Sequence, residues 1–168
     1  MMLAARSHNF GVPGWDAGVT LRLLESGGEK PELGELARPT KAFYFLAGDR
    51  TPDRGGACDY LATCEWIRGG KLGKPTQDAH AAAEAIVKIG ELLNARYGIR
   101  LTVVSWNLGE PWIAETEREL TTRGVDLVPV RNVLPGFPSA SFLLPVEELP
   151  NADAASLLAR YLADRLRG

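Results

Sequence analysis

Trp106-Asn107-Leu108-Gly109-Glu110-Pro111-Trp112 places one acid between two indoles on a polar, flexible turn. Two tryptophans there can form an apolar wall around a single carboxyl group. Glu110 is then a candidate general acid or base, with Trp106 and Asn107 contacting a substrate. The same residues also have a plainer reading. The tryptophans pack, and Glu110 sits near the N-terminus of the next helix, where its charge suits the helix dipole. A second cluster, Asp49-Arg50-Thr51-Pro52-Asp53-Arg54, holds two acids and two arginines. Arg50 could grip a carboxylate or another anion through its planar fork, with Asp49 beside it as a catalytic candidate. In a solvated loop these charges would form only surface ion pairs, worth about 0–1 kcal/mol each. His8 is a third candidate, because imidazole titrates near neutrality. It precedes Asn9-Phe10-Gly11-Val12-Pro13-Gly14-Trp15-Asp16, a tight Gly/Pro turn in which Asn9, Gly11 and Trp15 are candidate substrate contacts.

Cysteine chemistry is less promising. Cys58 and Cys64 are six positions apart. On one helix they would lie about 9 Å apart along the axis at ~1.5 Å per residue. A disulfide needs Cα atoms roughly 4.4–6.8 Å apart. In a loop they could pair, and as two small buried thiols they would do nothing. The chain has 2 histidines. His80 falls in the first turn of a long predicted helix and reads as a surface or packing residue. No Cys/His grouping has zinc spacing, so neither a metal nor a cofactor is expected.

The candidates need a scaffold, and 168 residues with 45% hydrophobic and 24% charged composition suit one soluble domain with a real core. A net charge of −2 makes no case for nucleic acid or an anionic membrane. No apolar run approaches the ~18–20 residues needed to cross a bilayer, and the opening residues are too short for a secretory signal. A cytoplasmic protein is expected.

Residues 3–10 are a weak strand candidate. Residues 15–25 have helical spacing at Val19, Leu21, Leu23 and Leu24, with Asp16 as a possible N-cap and Ser26-Gly27-Gly28 as the stop. Residues 41–47, Lys-Ala-Phe-Tyr-Phe-Leu-Ala, read as a buried strand. Residues 58–67 could make a helical turn or two. Residues 76–97 form the clearest helix, with Thr76 as N-cap candidate and a stripe at Ala79, Ala82, Ala83, Ile86, Ile89, Leu92 and Leu93. Gly98 should stop it in the left-handed conformation. A strand over 99–105, a helix over 111–123 stopped by Gly124, a short strand over 125–130 and a closing helix over 152–166 complete the chain. Alternation of this kind predicts a parallel sheet with helices on both faces. Ligands on such sheets collect outside the carboxyl ends of the strands. That rule selects residues 9–16, 48–54, 106–112 and 131–137.

Three stretches resemble the SGNH/GDSL esterase superfamily. Asn9-Phe10-Gly11-Val12-Pro13-Gly14 is similar to its Asn-x-Gly-x-x-Gly block, and the resemblance implies an oxyanion-hole N–H from Gly11. Phe43-Tyr44-Phe45-Leu46-Ala47-Gly48-Asp49 resembles the third strand and the Gly-x-Asn-Asp block, with Gly48 where the asparagine belongs. Leu149-Pro150-Asn151-Ala152 resembles the His-Pro-Asn segment before the closing helix. Leu149 stands at the histidine position, and Val146 stands at that of the aspartate. Eight residues precede Asn9, which leaves no room for the serine strand and its helix.

The resemblance therefore implies a three-layer α/β/α sandwich with a mostly parallel sheet, flavodoxin-like or SGNH-like, missing its first strand. It also implies loss of serine-esterase chemistry, because leucine and valine accept no protons. The strand-end pocket would then serve non-covalent chemistry on a small molecule, such as cyclisation, isomerisation or proton transfer. A non-catalytic binding or interaction module is the alternative, and an esterase completed by a partner is a third. A sheet short of a central strand would leave apolar surface for a homodimer to cover.

Overall fold

The computed structural model describes residues 17–27, 41–47, 78–143 and 150–167. Among them, α1 (Ala17–Ser26) is followed by β1 (Lys41–Ala47), α2 (Ala79–Tyr97), β2 (Arg100–Trp106), α3 (Pro111–Thr122), β3 (Asp126–Pro129), a 3-10 turn (Val130–Asn132) and α4 (Ala152–Arg167). The fold is α/β. The three strands pair in parallel in the order β1-β2-β3, with Phe45 level with Val104, and Val104 level with Val128. The expected strand over 3–10, the turn or two of helix at 58–67, the two cysteines and the Asp16 cap lie outside the described residues.

Each boundary has a local cause. The helix expected from Thr76 begins at Ala79 instead. Asp78 is its N-cap, accepting from the backbone N–H groups of His80 at 2.9 Å and Ala81 at 3.2 Å. A carboxylate can satisfy two of the orphan donors of a first turn at once. Gly98 ends α2 at φ 67°, a conformation that costs glycine little, and its N–H donates to the Asn94 carbonyl at 2.9 Å. The last strand stops at Pro129, earlier than its apolar run suggests. Val130 opens the 3-10 turn, which places Val130 and Leu134 in the core, both fully buried.

Apolar clusters lie on both sides of β2. Val103 belongs to one apolar cluster with residues of α1, α2 and α3, among them Leu24, Ile86, Ile89, Ile113 and Leu120. Val104 points the other way, into a cluster with Trp106, Val130, Leu134 and the α4 residues Ala154, Leu158 and Leu162. Alternation along β2 produces this split, since successive strand residues face opposite sides. Burying each such aliphatic side chain contributes about 1.5–3 kcal/mol.

The cover of α4 is uneven. In the row Phe45–Val104–Val128, exposure is 56%, 0% and 2%. Helix α4 thus covers Val104 and leaves Phe45 exposed, although Phe43, two residues earlier on β1, packs against its cluster. The helix runs against the strands. Near its C-terminal end, the Arg165 carbonyl accepts from Lys41 Nζ at the start of β1. The Arg165 guanidinium lies 2.5 Å from the Asp126 carboxylate at the start of β3.

Candidate functional site

The carboxyl end of β2 is the centre of the predicted site. Of the nine sequence candidates, the structure describes Trp106, Asn107 and Glu110. His8, Asp49, Asn9, Gly11, Trp15 and Arg50 lie outside the described residues. So do Val146 and Leu149.

Residues 107–110 form a compact turn held by its own side chains. Asn107 Oδ1 accepts from the Gly109 N–H at 2.8 Å. Gly109 has φ 116°, which side chains bearing a Cβ rarely adopt. Glu110 Oε2 accepts from the Leu108 N–H at 3.0 Å. Glu110 is also the N-cap residue of α3, with Pro111 following at the first helical position. Its side chain makes no capping hydrogen bond to the helix. The carboxylate instead turns back onto the loop before it, so its position near the helix N-terminus matches the plainer reading.

The two tryptophans do not wall a common pocket. Trp112, half-buried in the first turn of α3, packs against the cluster around Val103. Trp106, the last residue of β2, faces the cluster around Val104. Its ring meets Phe137 edge-on, with centroids 4.7 Å apart and planes at 65°. Trp106 is 8% exposed, yet its Nε1–H has no hydrogen-bond partner among the described residues. Ser105 Oγ, one residue earlier and on the opposite face, is likewise buried without a partner among them. An unpaired buried donor costs about 1–3 kcal/mol. Ser105 is the serine at the strand end, and no base stands within hydrogen-bond reach of it among the described residues.

One charged pair was not anticipated. Glu117 lies on the inward stripe of α3 between Ile113 and Leu120, with its side chain 6% exposed. Arg131, just beyond β3, reaches both carboxylate oxygens, at 3.0 Å and 2.7 Å. An acid on an apolar helical stripe was the available signal, since such an acid needs a cation or a set of donors. His80 is exposed, with Nδ1 3.0 Å from Glu119 Oε2, as expected of a surface residue. A cavity of about 340 Å³ lies away from the strand ends, along the outer face of α3 beside Glu115, Arg118, Glu119, Thr122 and Arg123. Among the described residues no group of three or more His, Cys, Asp or Glu side chains could hold a metal ion, and no helix is long and apolar enough to cross a membrane.

In the segment Pro150-Asn151-Ala152, the described residues have structural roles. Asn151 Oδ1 accepts from the Ala154 N–H at 3.0 Å at the start of α4, and its Nδ2 donates to the Ser141 carbonyl at 2.6 Å. Asn151 therefore anchors the closing helix to the preceding loop. No protein-family model, curated protein or solved structure matches this chain.

Proposed function

We propose that the chain is a degenerate relative of the SGNH/GDSL hydrolases that binds a small molecule outside the carboxyl ends of its strands. In this reading it performs non-covalent chemistry there, such as cyclisation, isomerisation or proton transfer, and does not hydrolyse esters through a serine triad. The observation that carries the reading is Trp106, an indole N–H buried at the carboxyl end of the middle strand with no acceptor among the described residues. An oxygen of a bound ligand would supply that acceptor. Two features support the family assignment. The parallel order β1-β2-β3 fits the third, fourth and fifth strands of a flavodoxin-like sheet, which are consecutive neighbours. The apolar clusters on opposite faces of β2 fit a three-layer sandwich. Leu149 and Val146 at the histidine and aspartate positions argue against the triad.

A second reading, a non-catalytic binding module, is favoured by Glu110, whose carboxylate is engaged by the turn that carries it. In either reading the working form is a cytoplasmic homodimer without nucleic-acid or membrane partners, supported by the net charge of −2 and the exposed Leu157 and Tyr161.

The test has two parts. A fluorophosphonate probe should label no serine, and p-nitrophenyl acetate should not turn over. Labelling of Ser105 or any other serine would overturn the loss of esterase chemistry. In a thermal-shift screen of small carbonyl and carboxylate compounds, hits on the wild type should lose their shift in Trp106→Phe. Hits that stabilise both proteins equally would remove Trp106 from the site.

A further inference from the structure

We propose that two copies of the chain associate through α4, as an antiparallel helix pair along the stripe Asp153, Leu157, Tyr161 and Arg165. This locates the homodimer proposed above and rests on it.

These four residues recur at intervals of four, so they form one continuous ridge along the helix. The ridge runs beside the buried stripe Ala154, Leu158 and Leu162. It lies on the β3 flank of α4, because Arg165 reaches both the Tyr161 hydroxyl, at 3.5 Å, and Asp126 at the start of β3. Leu157 is 42% exposed and Tyr161 38%. They are two of the three large hydrophobic side chains exposed among the described residues.

The order along the ridge is acid, apolar, apolar, base. A two-fold contact must be complementary to itself, each residue meeting its counterpart reciprocally. Antiparallel pairing centred at the level of Ala159 meets that condition. Leu157 of one copy faces Tyr161 of the other, twice, and Asp153 faces Arg165, twice. Parallel pairing would set Asp153 against Asp153 and Arg165 against Arg165, which repel. Arg165 can take the second carboxylate, because a guanidinium has five N–H donors and its contact to Asp126 uses one nitrogen. Among the described residues, the exposed face of β1 at Phe45 has no such self-complementary charge pattern, and it is the competing surface.

Sedimentation equilibrium at micromolar concentration should give about twice the 18.2 kDa chain mass. Leu157→Glu should sediment as the monomer with an unchanged far-UV circular dichroism spectrum, since Leu157 is exposed. Asp153→Lys should weaken association without affecting the fold, and Phe45→Ser should leave the dimer intact. With Cys58 and Cys64 replaced by serine, a mixture of Leu157→Cys and Tyr161→Cys chains should form a covalent dimer that neither forms alone. A wild-type monomer would reject both this surface and the homodimer. A dimer that survives Leu157→Glu and Asp153→Lys, or is lost in Phe45→Ser, would reject this surface alone. Cross-linking of Leu157→Cys to itself would indicate a parallel pair and also reject it.

Discussion

Replacing Arg131 with methionine should destabilise the protein by about 2 kcal/mol, and replacing Glu117 at the same time should recover most of that loss. The carboxylate of Glu117 is almost fully enclosed, with 6% of its side chain exposed, and Arg131 spans both of its oxygens. Removing one partner of a buried pair leaves an uncompensated charge, at a cost of roughly 3–5 kcal/mol when both groups are enclosed. Arg131 is 50% exposed, so water screens the pair and can partly solvate the stranded carboxylate. That places the effect below this range, at about 2 kcal/mol, or a fall in melting temperature of roughly 4–8 °C for a chain of this size. Glu117→Met/Arg131→Met replaces both charges with apolar groups, which for buried pairs is often neutral or stabilising. Urea unfolding of the wild type, both single variants and the double variant closes a double-mutant cycle. A loss below about 0.5 kcal/mol in Arg131→Met would place the pair among ordinary surface ion pairs. A double variant as unstable as the single one would show that Arg131 acts through something other than Glu117.

Two capping variants test the helix boundaries. Asp78→Ala should cost about 1 kcal/mol in urea unfolding, because the carboxylate satisfies two N–H groups of α2. Wild-type stability in that variant would move the functional cap elsewhere. Asn151→Ala removes both the cap of α4 and its tie to Ser141, and should cost about 1–2 kcal/mol. Hydrogen exchange should rise first in α4, and a uniform rise across the sheet would contradict a local role for Asn151.

Local residue chemistry was enough to read most elements among the described residues. The aromatic run at 41–47 is β1, residue for residue, but it is not the buried strand its composition suggests, since only Leu46 is buried and Phe45 is 56% exposed. The α2 stripe reads from spacing, since Ala83, Ile86, Ile89 and Leu93 recur with the helical period. Gly98 and Gly124 mark helix ends because positive φ is cheap for glycine alone, and both adopt it, at 67° and 72°. What sequence could not decide was every relation between segments. Nothing local aligns Phe45 with Val104 across more than fifty residues, nor sends Trp106 and Trp112 to opposite sides of the sheet. Glu110 shows the same limit, since its residue type allows proton transfer while the turn engages its carboxylate at Leu108. The Glu117–Arg131 pair and the uneven cover of α4 arise only when strands and helices pack, because burial and partner choice depend on three-dimensional neighbours. Residue types and their periodicity thus determined the elements and the candidate chemistry, and tertiary packing decided which of those side chains are buried, paired or left exposed.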